Sequence, residues 1–357
     1  MSGIFGALGI NDSDRVFLST FGQAVIYDAL RSTLDRFNTE LNQAMGVFVE
    51  STTSNYKLRY KLPGGGRLQR TGGQAPTGAV KTYGDWDVAL PLEGFGAALA
   101  GNRVDMAYMT AQDLDKHLNT LFMQDTNTVR YEILRALLNN TARTFSDWLW
   151  GSLTIQPLAN NDSVVYPPVL GVETEATDNH YVTSGYASAS ITDTNNPYPV
   201  IRNMLEEHFG APTGGSNVVV FINNAETSKT LGLLEFDAVN DRWIIPGVNR
   251  DQATGVPNVP GRVLGRTRSG VWVSEWRWVP SGYMLGVHLD APAPLMKRVD
   301  LPETNLPGDL ALVVQDDDYP ITSSFYEHRF GVGVGNRLNG VAMQITASGS
   351  YTIPTGF

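Results

Sequence analysis

The hydrophobic and polar positions of this chain follow a helical rhythm in two long stretches and a strand rhythm in most of the others. Over residues 20–45, Phe21, Val25, Leu30, Leu34, Phe37 and Leu41 recur at close to helical spacing, which predicts an amphipathic helix. Residues 102–150 contain neither glycine nor proline, in a chain that carries 36 Gly and 19 Pro. Within them Leu114, Leu118, Leu121, Phe122, Val129, Ile133 and Leu137 form one apolar stripe, while Asp115, Lys116, Asn119, Arg130 and Arg135 take the other side. This predicts a spine, as one long helix or two nearly collinear ones. Thr110 followed three residues later by Asp113 is a near-match to a capping box and marks its start. A helix over 110–145 would be roughly 50 Å long, and a kink is expected at the poor helix formers Thr126-Asn127-Thr128-Val129.

Strand patterns fill the rest. Residues 56–62 alternate, the glycine-rich runs 63–66 and 71–76 break the chain, and 79–90 return, which predicts a long hairpin with a glycine-rich tip. A two-stranded ribbon is marginal alone, so it lies either on a neighbouring subunit or back on its own domain. Short strands are expected at 152–156 and 164–166. Pro199 opens a helix with face Ile201, Leu205 and Phe209, closed by Gly210. A buried strand at 217–222, a helix over 225–234 and a surface loop at 246–261 complete a compact α/β subdomain. Residues 271–279 read as a strand with Trp272, Trp276 and Trp278 on one face, suited to packing more than to a stacking platform. Residues 310–314 and 325–345 alternate as two long strands around the acidic turn Asp316-Asp317-Asp318. The class is α+β. Residues 1–10, small and glycine-rich, are either an arm ordered by lying on something else or a disordered terminus.

Charge and composition narrow the function. With 36 acidic against 26 basic residues the net charge is −10, which argues against a dedicated duplex-DNA binder, because neutralising phosphates takes clustered Lys and Arg. The absence of cysteine removes disulfides, thiolate metal sites and a Cys nucleophile. The first basic residue is Arg15, so no positive n-region opens the chain, and no run of about 18 uncharged apolar residues appears. The expectation is a soluble chain, intracellular when made, with no membrane partner.

A search for chemistry returns negatives. There is no phosphate-loop, zinc-helix or nucleophile-elbow motif. Gly331-Val-Gly-Val-Gly335 sits inside a strand pattern with Asn336 in place of a third glycine, so its small residues mark bending or close backbone approach rather than nucleotide binding. The five histidines, His117, His180, His208, His288 and His328, are scattered without metal-ligand spacing and read as structural or solvated. Asp316–Asp318 lacks a calcium-loop pattern. No catalytic, cofactor-binding or metal-ligating residue is assigned, and no enzymatic activity is expected.

The order of parts, together with Val279-Pro-Ser-Gly-Tyr-Met-Leu-Gly286 and Phe325-Tyr-Glu-His-Arg-Phe-Gly-Val-Gly-Val-Gly-Asn-Arg337, resembles the major capsid proteins of tailed bacteriophages, the Hong Kong 97-type fold, over nearly the whole chain. The resemblance implies an N-terminal arm and helix (1–50), an extended β-hairpin loop (51–90), the first part of a peripheral domain with the spine (91–162), an axial domain (163–289), and the C-terminal strands of the peripheral domain (290–357). It implies a shell subunit that assembles with itself head to tail into pentamers and hexamers around double-stranded DNA, without sequence-specific binding. Arg67, Arg70, Tyr83 and Trp86 on the extended hairpin are the expected subunit contacts. Because the chain begins almost directly with the arm, a separate scaffolding protein or a processed precursor is implied, alongside a portal and an optional decoration protein. The tip, 63–78, has no lysine, so covalent self-cross-linking is not expected. The expected location is the virion capsid, with the host cytoplasm during assembly. The alternatives are an encapsulin-type nanocompartment shell and, last, a glycan-binding or hydrolytic β-rich protein suggested by Trp272, Trp276 and Trp278.

Overall fold

A computed structural model describes residues 23–62, 85–100, 108–170, 172, 177–208, 210, 217–238, 257–315 and 323–357. The arm at 1–10, the hairpin tip, most of the 246–261 loop and the 316–318 turn lie outside them. The chain divides into two compact units, residues 1–43, 92–132 and 298–331 in one, and 44–91, 133–297 and 332–357 in the other.

In the first unit two helices cover a sheet. The first, α1, runs Gln23–Met45. Its buried face is Ile26, Tyr27, Leu30, Leu34 and Leu41, while Val25, expected on that face, is 61% exposed. At about 100° per residue, the five-residue step from Val25 to Leu30 rotates Val25 off the stripe. The spine, α2, runs Ala111–Leu138, 28 residues and so about 42 Å. Its start is capped as expected: the Asp113 amide donates to Thr110 Oγ1 at 3.2 Å, and the Thr110 amide donates to Asp113 Oδ2 at 3.1 Å. Leu118 and Leu121 pack with Tyr27, Leu30 and Leu34 of α1, with Tyr326 of the sheet and with Leu310 just before it, and Phe37 stacks on Phe122 at 4.4 Å. The strand Ser323–Val334 lies antiparallel to both Glu93–Ala100 and Ala311–Gln315.

Two expectations for the spine are corrected. The helix is unbroken through 126–129, where Thr126 and Thr128 donate their hydroxyls to the carbonyls of Phe122 and Gln124, at 2.7 and 2.9 Å, inside the helix. It stops at Leu138 rather than continuing to 145 or beyond. Asn139 accepts the Thr141 amide at 2.9 Å in a local turn, and the chain then forms the hairpin Arg143–Asp147 with Gly151–Ile155.

The second unit is built on a seven-stranded mixed sheet in the order Tyr181–Thr183, Val341–Gln344, Tyr283–His288, Val218–Ile222, Val271–Glu275, Arg262–Thr267, Phe236–Ala238. Val218–Ile222 is buried at every position, as a strand covered on both faces must be, and runs parallel to Val271–Glu275 and antiparallel to Tyr283–His288. Helix α3, Tyr198–Glu206, has Pro199 in its first turn and packs Tyr198 and Ile201 into this core. Gly286 makes room for it, since a Cβ there would lie 2.2 Å from Ile201 Cγ2. Helix α4, Asn224–Leu231, is capped by Asn223, which accepts the Ala225 amide at 3.1 Å.

The expected strand at 271–279 ends at Glu275, and its three tryptophans do not share a face. Trp276 turns into the core beside Phe48 and Phe221, Trp272 lies under the Arg266 guanidinium, and Trp278 is exposed. The expected strand at 325–345 is likewise two. Ser323–Val334 ends before a turn at 336–340, and Val341–Gln344 enters the seven-stranded sheet instead. The turn is held from within: the Asn336 amide group donates to Pro292 O at 2.9 Å and that of Asn339 to His288 O at 3.0 Å.

Candidate subunit-contact site

The hairpin stem pairs Lys57–Lys61 with Asp85–Ala89, with Tyr60 opposite Trp86. Its period of two separates an apolar face from a charged one. On the apolar face Trp86 is 5% exposed, donates its indole N–H to Gly335 O at 2.9 Å and stacks on Tyr60. Within one chain, then, Trp86 is a core residue that seats the stem, and not an exposed contact. The Gly331–Gly335 run is explained here, since a Cβ on Gly333 would lie 2.7 Å from Leu90 Cδ2. On the charged face Asp87 receives Lys57 Nζ at 2.8 Å and Arg59 Nε at 2.9 Å. The hydrogen bonds from Arg59 and then Lys57 hold its carboxyl down at about 2. Arg67, Arg70 and Tyr83 lie outside the described residues.

A second hairpin supplies further candidate contact residues, which the sequence pattern does not mark. Asp147 accepts the amides of Leu149 and Trp150 at 2.9 and 3.0 Å, and Gly151 closes the turn at φ 72°. The tip so formed carries Trp148, 99% exposed, with Leu149 also exposed. Trp150 stacks on Tyr56 at 4.3 Å. The signal is Asp-Trp-Leu-Trp-Gly, a turn residue at each end of an apolar triplet, hidden because the lack of Gly and Pro before it predicts helix throughout. In the first unit Val313, Val314 and Phe325 are exposed on neighbouring strands, with Val314 opposite Phe325. Apolar side chains exposed in such groups mark surfaces that a partner covers.

The interior also holds buried polar groups. Arg337 is fully buried, and donates to Pro157 O at 2.8 Å, to Leu158 O at 3.1 Å and to the Asp162 carboxylate. Of the histidines, His117 is exposed, His288 is buried and accepts the Asp290 amide at 3.2 Å, and buried His328 lies 2.7 Å from Asp125. His180 and His208 converge on one carboxylate oxygen of Asp178, at 2.7 and 3.2 Å. Burial alone would raise the Asp178 pKa, but these two hydrogen bonds hold it well below the usual carboxylate range. Burial likewise opposes charge on His208, and Asp178 outweighs it, so the His208 pKa is raised. These histidines are scattered in the sequence, because contacts made through the fold leave no local spacing.

No protein-family model and no curated protein sequence matches the chain. Among solved structures, one of Mycobacterium phage Patience matches over 98% of this chain and 96% of its own, with a TM-score of 0.64 at 18% identity. The chain shares the fold of that phage structure. More distant matches are the asymmetric unit of the mature capsid of bacteriophage PhiM1, with TM-score 0.48, 13% identity and coverage of 83% and 86%, and the capsid of cyanophage P-SCSP1u, with TM-score 0.46, 10% identity and coverage of 84% and 86%. On this fold the exposed groups sit at a hairpin tip and on a sheet surface. Among the described residues, no helix is long and apolar enough to cross a membrane.

Proposed function

We propose that this chain is the structural subunit of an icosahedral bacteriophage capsid, assembling with itself into pentamers and hexamers that enclose double-stranded DNA. The observation that carries this reading is the end-to-end fold match to the phage Patience structure, which leaves almost no part of the chain over for another task. The exposed Trp148 tip and the Val313, Val314 and Phe325 surface supply apolar area of the kind that neighbouring subunits bury. Assembly is head to tail, a heterologous geometry in which one surface meets a different one next door and the ring closes by rotation. The hairpin rooted at Lys57–Lys61 crosses one such interface, and Arg67 and Arg70 meet acidic groups there. Residues 163–289 form the axial domain, and the spine with the C-terminal strands forms the peripheral one. A net charge of −10 suits a wall that encloses DNA without gripping it. The role is mechanical, without catalysis. A scaffolding protein, a portal and a decoration protein are the other partners, and the location is the virion, after assembly in the host cytoplasm.

Electron microscopy and light scattering of the purified full chain, with its scaffolding protein where needed, test this. The expected result is closed particles of megadalton mass with five- and six-fold rings. A stable monomer from native virions would overturn it, and a protein cargo in place of DNA would assign the shell to a nanocompartment.

A further inference from the structure

In the first unit the strand Glu93–Ala100 and α2 leave between them a pocket of about 150 Å³ that opens to solvent. Leu118, Leu121 and Tyr326, all buried, line its depth, and the exposed His117, Thr120 and Gln124 line its mouth. No Lys, Arg, Asp or Glu is among its walls. An apolar cavity of about 150 Å³ accepts a benzene ring, so the benzo edge of an indole fits here, with its N–H left at the mouth, where the Thr120 hydroxyl and the Gln124 amide oxygen are acceptors. The second unit carries the complementary shape. Trp148 is 99% exposed at the turn that joins Arg143–Asp147 to Gly151–Ile155, and residues 148–152 are likewise uncharged. Asp147 fixes that turn by accepting two of its amides, so the backbone that presents the indole loses little freedom on docking.

We propose that this pocket receives the Trp148 indole of a second copy of the chain. The inference rests on the reading that the chain assembles with itself, and it names which surface meets which. Seating the indole takes about 150–250 Å² of aromatic side chain out of water, and two uncharged surfaces meet without stranding an ion. A stable interface takes about 1,200–2,000 Å², so the indole is an anchor inside a wider contact. Apolar surface for that contact adjoins the pocket. Ala98 of the pocket wall lies opposite Phe325, and Phe325 lies opposite Val314, so the pocket borders the exposed group of Val313, Val314 and Phe325. Each copy carries one such tip and one such pocket, and the two are different surfaces. The contact is therefore heterologous: it leaves a free tip on one copy and a free pocket on the other, and it propagates until a ring closes.

The test pairs two complementary full-length variants. Trp148→Ser keeps the pocket and lacks the indole, while Thr120→Trp, at an exposed helix position, keeps the tip and plugs the mouth. Leucine-methyl NMR of labelled Trp148→Ser, titrated with unlabelled Thr120→Trp, should show the Leu118 and Leu121 methyls shifted by the ring current of the incoming indole. Adding the chain that carries both substitutions should leave them unmoved. In assembly, each single variant should raise the concentration needed for particle formation about tenfold, and the double variant no further, since both remove one contact. A second plug, Gln124→Trp, repeats both measurements where Thr120→Trp gives no dispersed methyl spectrum. Methyls unmoved by the tip-bearing chain would overturn the proposal, as would thresholds that multiply to about a hundredfold in the double variant. Equal shifts with the double variant would also overturn it, by putting another part of the chain in the pocket. Particles from the unaltered chain beside unmoved methyls remove this contact and leave the capsid reading standing, and methyl shifts without closed particles do the reverse.

Discussion

Arg337 is a full positive charge with no access to water, held by two carbonyls and one carboxylate. Removing it strands the carbonyls of Pro157 and Leu158 and half-buries the Asp162 charge, so the loss exceeds the worth of any one bond. Arg337→Met is expected to destabilise the subunit by about 3–5 kcal/mol, read as a lower midpoint in chemical denaturation. Asp87 acts on the opposite, wet side. Its pKa is lowered from 3.8 to about 2, so its contribution is present above the unfolded value and is lost as pH falls through about 2. A carbon-detected titration of the Asp87 carboxyl should therefore show a midpoint near 2, and the difference in melting temperature from Asp87→Asn should shrink between pH 3.8 and 2. A midpoint near 3.8 would mean that the stem pairs do not form in solution. Neither residue's partners were legible in the sequence. Arg337 lies far along the chain from Asp162, and only the paired strands bring Lys57 and Arg59 to Asp87.

At the scale of elements, what the sequence carried was whatever depends on neighbours along the chain. The capping pair Thr110 and Asp113, the stripe ending in Ile133 and Leu137, the proline in the first turn of α3 and the buried strand Val218–Ile222 are all local or periodic, and all were read correctly. The ends of elements were not, because they are decided by competition. Asn139 ends α2 by offering its side chain to the backbone, and the 336–340 turn splits a strand pattern because its side chains satisfy carbonyls elsewhere. The fit of α3 to the sheet was also invisible, since it depends on a missing Cβ. Gly286→Ala should cost about 1–3 kcal/mol, as Ile201 must leave its rotamer or α3 must lift. An Ile201→Leu change in the same chain, which removes the Cγ2 branch, should recover part of that loss, which a thermal melt of the double variant would show.

Over the whole molecule, the sequence of arm, hairpin, spine, α/β subdomain and closing strands led to the right fold, although no sequence match supports it. Such a fold is specified by an order of elements and their packing more than by particular side chains, so it survives at 18% identity. The surfaces were less legible. Of the four contact residues expected on the hairpin, Trp86 lies in the interior, whereas Trp148, never singled out, is the most exposed large apolar side chain among the described residues. In the capsid reading Trp148→Ser should leave the subunit folded, with an unchanged circular dichroism spectrum, and raise the concentration needed for particle formation about tenfold or more, as an aromatic anchor worth roughly 2 kcal/mol would. Assembly at the unaltered threshold would remove the tip from the interface.

The Trp148 tip also sets a time limit. A bare indole beside a leucine on an exposed turn adheres to any apolar surface it meets, so in the capsid reading every unassembled subunit is exposed to off-pathway association in proportion to its concentration and its waiting time. Supply and consumption of subunits must stay matched. A shell of this kind is therefore governed as much by the pace at which its parts are delivered as by the strength with which they finally hold.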